Sequence, residues 1–242
     1  MNLLMLGDDM NVVDRLVDVV KYAYVTEIWP MNERSGSVLT GAVKGLNGTY
    51  SGVTVADTAG RVPGSMAPYF DGVNDTGNIY SAGLNASFNP LAGTMAILYK
   101  AGGSVLTDGL TQHMFDIRVN TSNLIAIYQV PTNNTFALSY RAGGAGITTA
   151  NIVHSSAAWN LIGFTWDRGL DEFRPYLNAS QNGSTLTMTG TWAGALASNF
   201  CTIGSYGTTP SNVWIGHESY AMLFNRAVSA AEWARINRIL GG

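Results

Sequence analysis

Apolar positions follow two periods along this chain. From Asp8 to Tyr24, Val12, Val13, Leu16, Val17, Val19 and Val20 form one broad helical face, opposite Asp14, Arg15, Asp18 and Lys21. That spacing predicts an amphipathic helix. Asp8 and Asp9 stand where they can cap its N-terminus and complement its dipole. At the far end Ser229 precedes Ala230, Ala231 and Glu232. This capping-box spacing predicts a short helix through Leu240, stopped by Gly241 and Gly242.

Between the two ends the period drops to two. Short runs rich in Val, Ile, Thr, Tyr, Phe and Trp are separated by Gly102-Gly103, Asn133-Asn134, Gly143-Gly144 and Asn182-Gly183. They predict strands at Met95 to Lys100, Met114 to Val119, Leu124 to Gln129, Phe136 to Arg141, Asn160 to Trp166, Phe173 to Leu177, Thr185 to Thr189 and Tyr220 to Phe224. Helical crossovers between them are missing, which disfavours a parallel α/β fold and favours an antiparallel sandwich. In one central strand Trp159, Leu161, Gly163 and Thr165 face one way and Asn160, Ile162, Phe164 and Trp166 the other. Both faces are largely apolar, so this sheet is expected to be covered on both sides, by loops or by a neighbouring chain. The N-terminal helix is expected to lie on the sandwich's own open face or on another protein.

Composition narrows the partners. The chain has 242 residues, of which 46% are hydrophobic and only 12% charged, enough apolar material for one large all-β domain. With no linker or repeat visible, residues 1–24 read as a helical appendage and residues 25–242 as one β domain. Thirteen Lys and Arg against sixteen Asp and Glu give a net charge of -3, which argues against nucleic acid and anionic membranes as partners. No apolar run approaches the roughly 18 residues of a membrane span. The opening Met-Asn-Leu-Leu-Met-Leu-Gly-Asp-Asp lacks the pattern of a secretory signal, so synthesis in a cytoplasm is the expectation. The single cysteine, Cys201, allows neither an internal disulfide nor a cysteine zinc site.

Several blocks recur in a fixed order: Trp29-Pro30-Met31-Asn32-Glu33-Arg34-Ser35-Gly36, Gly45-Leu46-Asn47-Gly48-Thr49-Tyr50, and Tyr69-Phe70-Asp71-Gly72-Val73-Asn74-Asp75. Next come Trp159 to Asp167 with Arg174 to Asn178, and then Ile203-Gly204 with Phe224 to Glu232. Together they resemble the LamG-like members of the concanavalin A-like lectin/glucanase fold over roughly 210 residues. The resemblance implies an all-β, two-sheet antiparallel jelly roll with an N-terminal helix and a short C-terminal helix. Many relatives carry an Asp-Glu pair where this chain has Ser219 and Tyr220; Glu218 is displaced from that position.

Enzyme relatives of this fold use a Glu-x-Asp-x-x-Glu strand to supply the two carboxylates of glycoside hydrolysis. Here the glutamates are Glu27, Glu33, Glu172, Glu218 and Glu232, none of them in that pattern, and the adjacent Asp171 and Glu172 would face opposite ways on a strand. His113, His154 and His217 stand apart and read as structural. The chain is therefore expected to be non-enzymatic and without a cofactor. Calcium, which lectin, pentraxin and laminin relatives bind, is the one metal to weigh: Asp71, Asn74 and Asp75 are oxygen donors in a loop, where they would equally serve a turn. Trp192, Tyr206 and Trp214 are the candidates for stacking on a sugar. Domains of this kind also occur in virion proteins. Low charge and missing catalytic pairs then suggest a bacteriophage structural protein: a capsid decoration, fibre or tail component located in the virion. Its partners would be other virion proteins and copies of itself, with contact to a host surface glycan. The alternative is an extracellular, lectin-like carbohydrate-binding module.

Overall fold

The computed structural model describes residues 11–102, 107–132, 134–144, 146–154 and 157–242. Three helices lie among them: α1 Val12–Val20, α2 Ala82–Ser87 and α3 Ala230–Ile239. The strands begin with β1 Val25–Trp29, β2 Val38–Leu39, β3 Gly48–Ser51, β4 Thr54–Ala59, β5 Met66–Asp71, β6 Thr76–Asn78, β7 Ala92–Ala101 and β8 Gln112–Asn120. They continue with β9 Asn123–Gln129, β10 Thr135–Ala142, β11 Gly146–Val153, β12 Asn160–Asp167, β13 Glu172–Leu177, β14 Ser180–Gln181, β15 Cys201–Ile203 and β16 Ile215–Phe224. One sheet runs β14-β13-β12-β7-β16-β5-β4, with β1 also paired to β16; the other runs β11-β10-β9-β8-β15-β6-β3-β2. All strand pairs are antiparallel. This is the two-sheet antiparallel jelly roll with flanking helices that the family resemblance implies.

Alternation sorts the side chains into two cores. Ile97, Tyr99, Phe115, Ile117, Ile125, Ile127, Phe136, Leu138, Ile162, Phe164 and Trp166 pack between the sheets. On the outside of the first sheet a second cluster joins Ala96, Leu98, Leu161, Tyr176, Met222 and Phe224 to Leu16, Val19 and Val20 of α1 and Trp233, Ile236 and Leu240 around α3. The double-sided apolar pattern of the β12 segment is thus satisfied by the chain's own helices. Gly163 makes room for Trp233, since a Cβ there would lie 2.8 Å from the indole and 2.2 Å from the Met95 carbonyl oxygen. The indole stacks on Tyr176 at 4.6 Å and donates its N–H to the Asn178 carbonyl at 2.6 Å.

The terminal helices differ in how far their ends follow the sequence pattern. α3 has the expected capping box between Ser229 and Glu232. Arg226 bonds both Glu232 and the Val20 carbonyl, which ties the two helices together. For α1, Asp8 and Asp9 lie outside the described residues; Asn11 caps the described helix by accepting from the Asp14 N–H at 3.0 Å. The helix stops at Val20 rather than Tyr24 because Lys21 takes a left-handed φ of 74°. Thr185 to Thr189 forms no strand; only a single bridge joins Leu186 to Phe173.

Candidate functional site

Among the described residues no helix lies on the outer face of the second sheet. On β8, Phe115 and Ile117 enter the core, so Asp116 and Arg118 turn outward. An irregularity between His113 and Phe115 breaks the pairing with β9 and brings His113 to the same side. Asp116 is fully buried, with His113 Nδ1 at 2.5 Å from one carboxylate oxygen and Arg118 Nη2 on the other. Burial opposes its charge, but His113 and Arg118 outweigh that penalty and hold the carboxyl below its usual range. An ionised Asp116 is acceptor-only, so His113 donates through Nδ1 and leaves Nε2 for another partner.

Aromatic rings enclose this group. Tyr128, opposite His113 on β9, stacks on the imidazole at 4.8 Å and 13°. Tyr206 meets it edge-on at 5.2 Å and lies over the Arg118 guanidinium at 4.4 Å. The loop bearing Tyr206 is fixed by Thr202 Oγ1 donating to the Ser205 carbonyl and by Ser205 Oγ bonding Thr76 Oγ1, both at 2.6 Å. Gly204 permits the turn: its φ is 77°, and a Cβ there would lie 2.1 Å from the Phe70 ring. The result is a cleft of about 280 Å³ lined by His113, Arg118, Thr121, Leu124, Tyr128, Arg141 and Tyr206. Arg141 Nη1 donates to the Thr121 carbonyl at 2.6 Å. Beside the cleft the hydroxyls of Tyr128, Ser139 and Thr149 form a row, 3.4 Å and 2.8 Å apart.

Of the sugar-stacking candidates, the structure places Tyr206 in this cleft. Trp214 is fully buried against Tyr99 and Phe136 between the sheets, with no face for a ligand. Trp192 packs on Phe88 and Tyr140 at 5.3 Å and 6.0 Å, away from the cleft. His113, Asp116, Arg118, Tyr128 and Arg141 were missed by pattern reading. The available signal was the pair Asp116 and Arg118, two charges at strand period inside a run otherwise suited to burial.

The calcium candidates stand together at the end of β5. Asp71 accepts the Val73 N–H at 2.8 Å, and the Asp75 carboxylate accepts the Asp71 N–H at 2.7 Å. Burial, with a smaller contribution from the Asp71 charge, raises the Asp75 carboxyl above its usual range despite the Asp71 backbone bond. One oxygen of each carboxylate serves the turn, while Asp75 Oδ1 is buried without a hydrogen-bond partner. Among the described residues no three His, Cys, Asp or Glu side chains converge as a metal would require.

Nothing in the cleft matches bond-breaking machinery. Among the described residues Asp116 is the one carboxylate bonded there, whereas glycoside hydrolysis needs two flanking the scissile bond. Asp171 and Glu172 are held in ion pairs with Arg168 and Arg174. Burial pushes the Cys201 thiol up to about 12, far from a thiolate nucleophile. Glu218 lies opposite Tyr99, facing the inter-sheet core, and both of its buried oxygens lack a partner. Burial alone raises its carboxyl well above the usual range, which fits a neutral acid in the core. The other histidines are partnered too: His154 with Tyr99, and His217 with Asp57.

No family model and no curated protein matches the chain. Solved structures do. The receptor-binding domain of botulinum neurotoxin C/D mosaic serotype aligns over 90% of this chain and 51% of its own at 8% identity, with a TM-score of 0.68. The botulinum neurotoxin type G receptor-binding domain covers 89% and 51% at 14% identity, with a TM-score of 0.59. The botulinum neurotoxin serotype D ligand-binding domain in complex with N-acetylneuraminic acid covers 93% and 52% at 8% identity, with a TM-score of 0.66. The chain therefore spans about half the length of the toxin domains it matches. These matches correct the virion expectation. The matched structures named above are toxin receptor-binding domains, so the capsid, fibre or tail role, the virion location, and virion proteins or assembled copies as partners are withdrawn. A shared jelly roll and a low charge do not amount to a shared use, since a fold does not carry its function with it.

Proposed function

We propose that this chain is a non-enzymatic, lectin-like module that binds carbohydrate outside cells, in the cleft on the open face of the second sheet. One observation carries the reading: two half-buried tyrosine rings, Tyr128 and Tyr206, flank a ligand-sized cleft whose floor is polar and fixed by buried bonds. Sugars are recognised in this way, with an aromatic ring against the pyranose face and side-chain donors and acceptors on the hydroxyls. The likeness to a toxin ligand-binding domain in complex with N-acetylneuraminic acid supports the reading at the level of fold. In the same reading residues 1–24, of which residues 1–10 lie outside the described ones, are an appendage to a jelly roll of residues 25–242. Glycan-array screening followed by calorimetry tests the site. Tyr128→Ala and Tyr206→Ala should each weaken the best glycan at least about tenfold, in keeping with aromatic anchors worth more than about 1 kcal/mol. Unchanged binding in both variants would move the site elsewhere.

A further inference from the structure

We infer that the sugar taken by this cleft bears a carboxylate, held by the guanidinium groups of Arg118 and Arg141; the inference rests on the carbohydrate-binding reading above. The chain carries a net charge of -3, yet the residues lining the cleft include two arginines and no carboxylate. Asp116 beneath them is committed to His113 and to Arg118. That leaves one cationic charge in the cleft uncompensated.

The donors are also prepared for a planar acceptor. Arg118 is 4% exposed, and its Nε–H is buried with no hydrogen-bond partner. A buried charge is costly in a low-dielectric site, so Arg118 is held in place by its bond to Asp116 and by the Tyr206 ring over its guanidinium. Arg141 is anchored through one nitrogen to the Thr121 carbonyl, which limits the side-chain entropy lost when its fork meets a ligand. Guanidinium forks fit carboxylates by paired, charge-assisted bonds. Tyr128 and Tyr206 supply the apolar contact to the ring that carries the carboxylate.

The test uses the full chain, with sialyllactose and a glucuronic-acid disaccharide as probes, each as free acid and as carboxyl methyl ester. Esterification removes the charge and keeps the sugar. At least one free acid should bind tenfold or more tightly than its ester, and that preference should weaken as salt is raised. Arg141→Gln should erase most of the preference, while Tyr206→Ala should weaken acid and ester alike. Because Arg118 is buried, Arg118→Lys is the second variant: it keeps the charge, loses the fork and should lower the acid preference in a chain whose circular dichroism is unchanged. Equal binding of acid and ester, lost with Tyr206→Ala, would overturn the carboxylate inference and leave the lectin reading standing. If neither form bound at millimolar concentration, or if binding ignored Tyr206→Ala, both would fall.

Discussion

On the first sheet, the outward residues Leu98, Leu161, Tyr176 and Met222 lie beneath Leu16, Val19 and Trp233 of the two terminal helices. On the second sheet, the same alternation turns Asp116, Arg118, Tyr128, Ser139 and Arg141 outward, and none of the described helices covers them. An apolar outer face must be hidden, so the chain spends its helices there. A charged and aromatic outer face can stay open, provided each buried charge has a partner. The difference separates a face that holds the fold together from the face proposed to take a ligand.

The buried carboxylates sharpen the contrast. Asp116 has a cationic and an imidazole partner on the open face, whereas Glu218 has none between the sheets. Their pH signs are opposite. The lowered Asp116 group contributes stability above the ordinary carboxylate range near pH 4, and that contribution is lost as pH falls through its lower folded value. The raised Glu218 group contributes fully below the unfolded glutamate value near pH 4.3, and its contribution is lost as pH rises from there toward the raised folded value.

The largest expected effect breaks the covered face. Trp233→Ala removes the indole seated on Tyr176 and Gly163 and should cost about 3–5 kcal/mol in urea denaturation, with glycan affinity unchanged in the folded fraction. Asp116→Asn comes next: it leaves Arg118 without its countercharge and should cost about 3 kcal/mol while also weakening glycan binding. Glu218→Gln should act in the other direction and more modestly, flattening the decline in thermal midpoint as pH rises from the unfolded glutamate value of about 4.3, the direction set by the raised Glu218 group. A steeper decline would show that Glu218 is ionised and partnered. The smallest stability effect belongs to Tyr206→Ala, within about 1 kcal/mol because the ring is half-buried at a loop, although the glycan signal should fall most. Loss of stability without loss of binding would reverse the assignment of the two faces.

Much of the fold could be read from residue order. The helical period of Val12 to Val20, the capping box at Ser229 and Glu232, and the two-residue period of β7 to β10 and β12 all recur in the structure. Short strands such as Cys201–Ile203 were not legible, because three residues carry too little period to stand out. In the candidate cleft only Tyr206 was singled out. Trp192 and Trp214 have the same loop-like surroundings in sequence, and it is tertiary packing that sends both against the inward aromatics of β10.

What the sequence determined by itself was the set of local periods: which residues alternate, where the helices begin, and that charge is scarce. Tertiary structure decided which outer face the helices would close, and it brought His113, Asp116, Arg118 and Tyr128 on adjoining strands together with Tyr206 from a loop some 80–90 residues further on in the chain. Alternation fixes only that a side chain lies on one side of its strand. What stands beside it is set by strand order and register, through hydrogen bonds between distant segments.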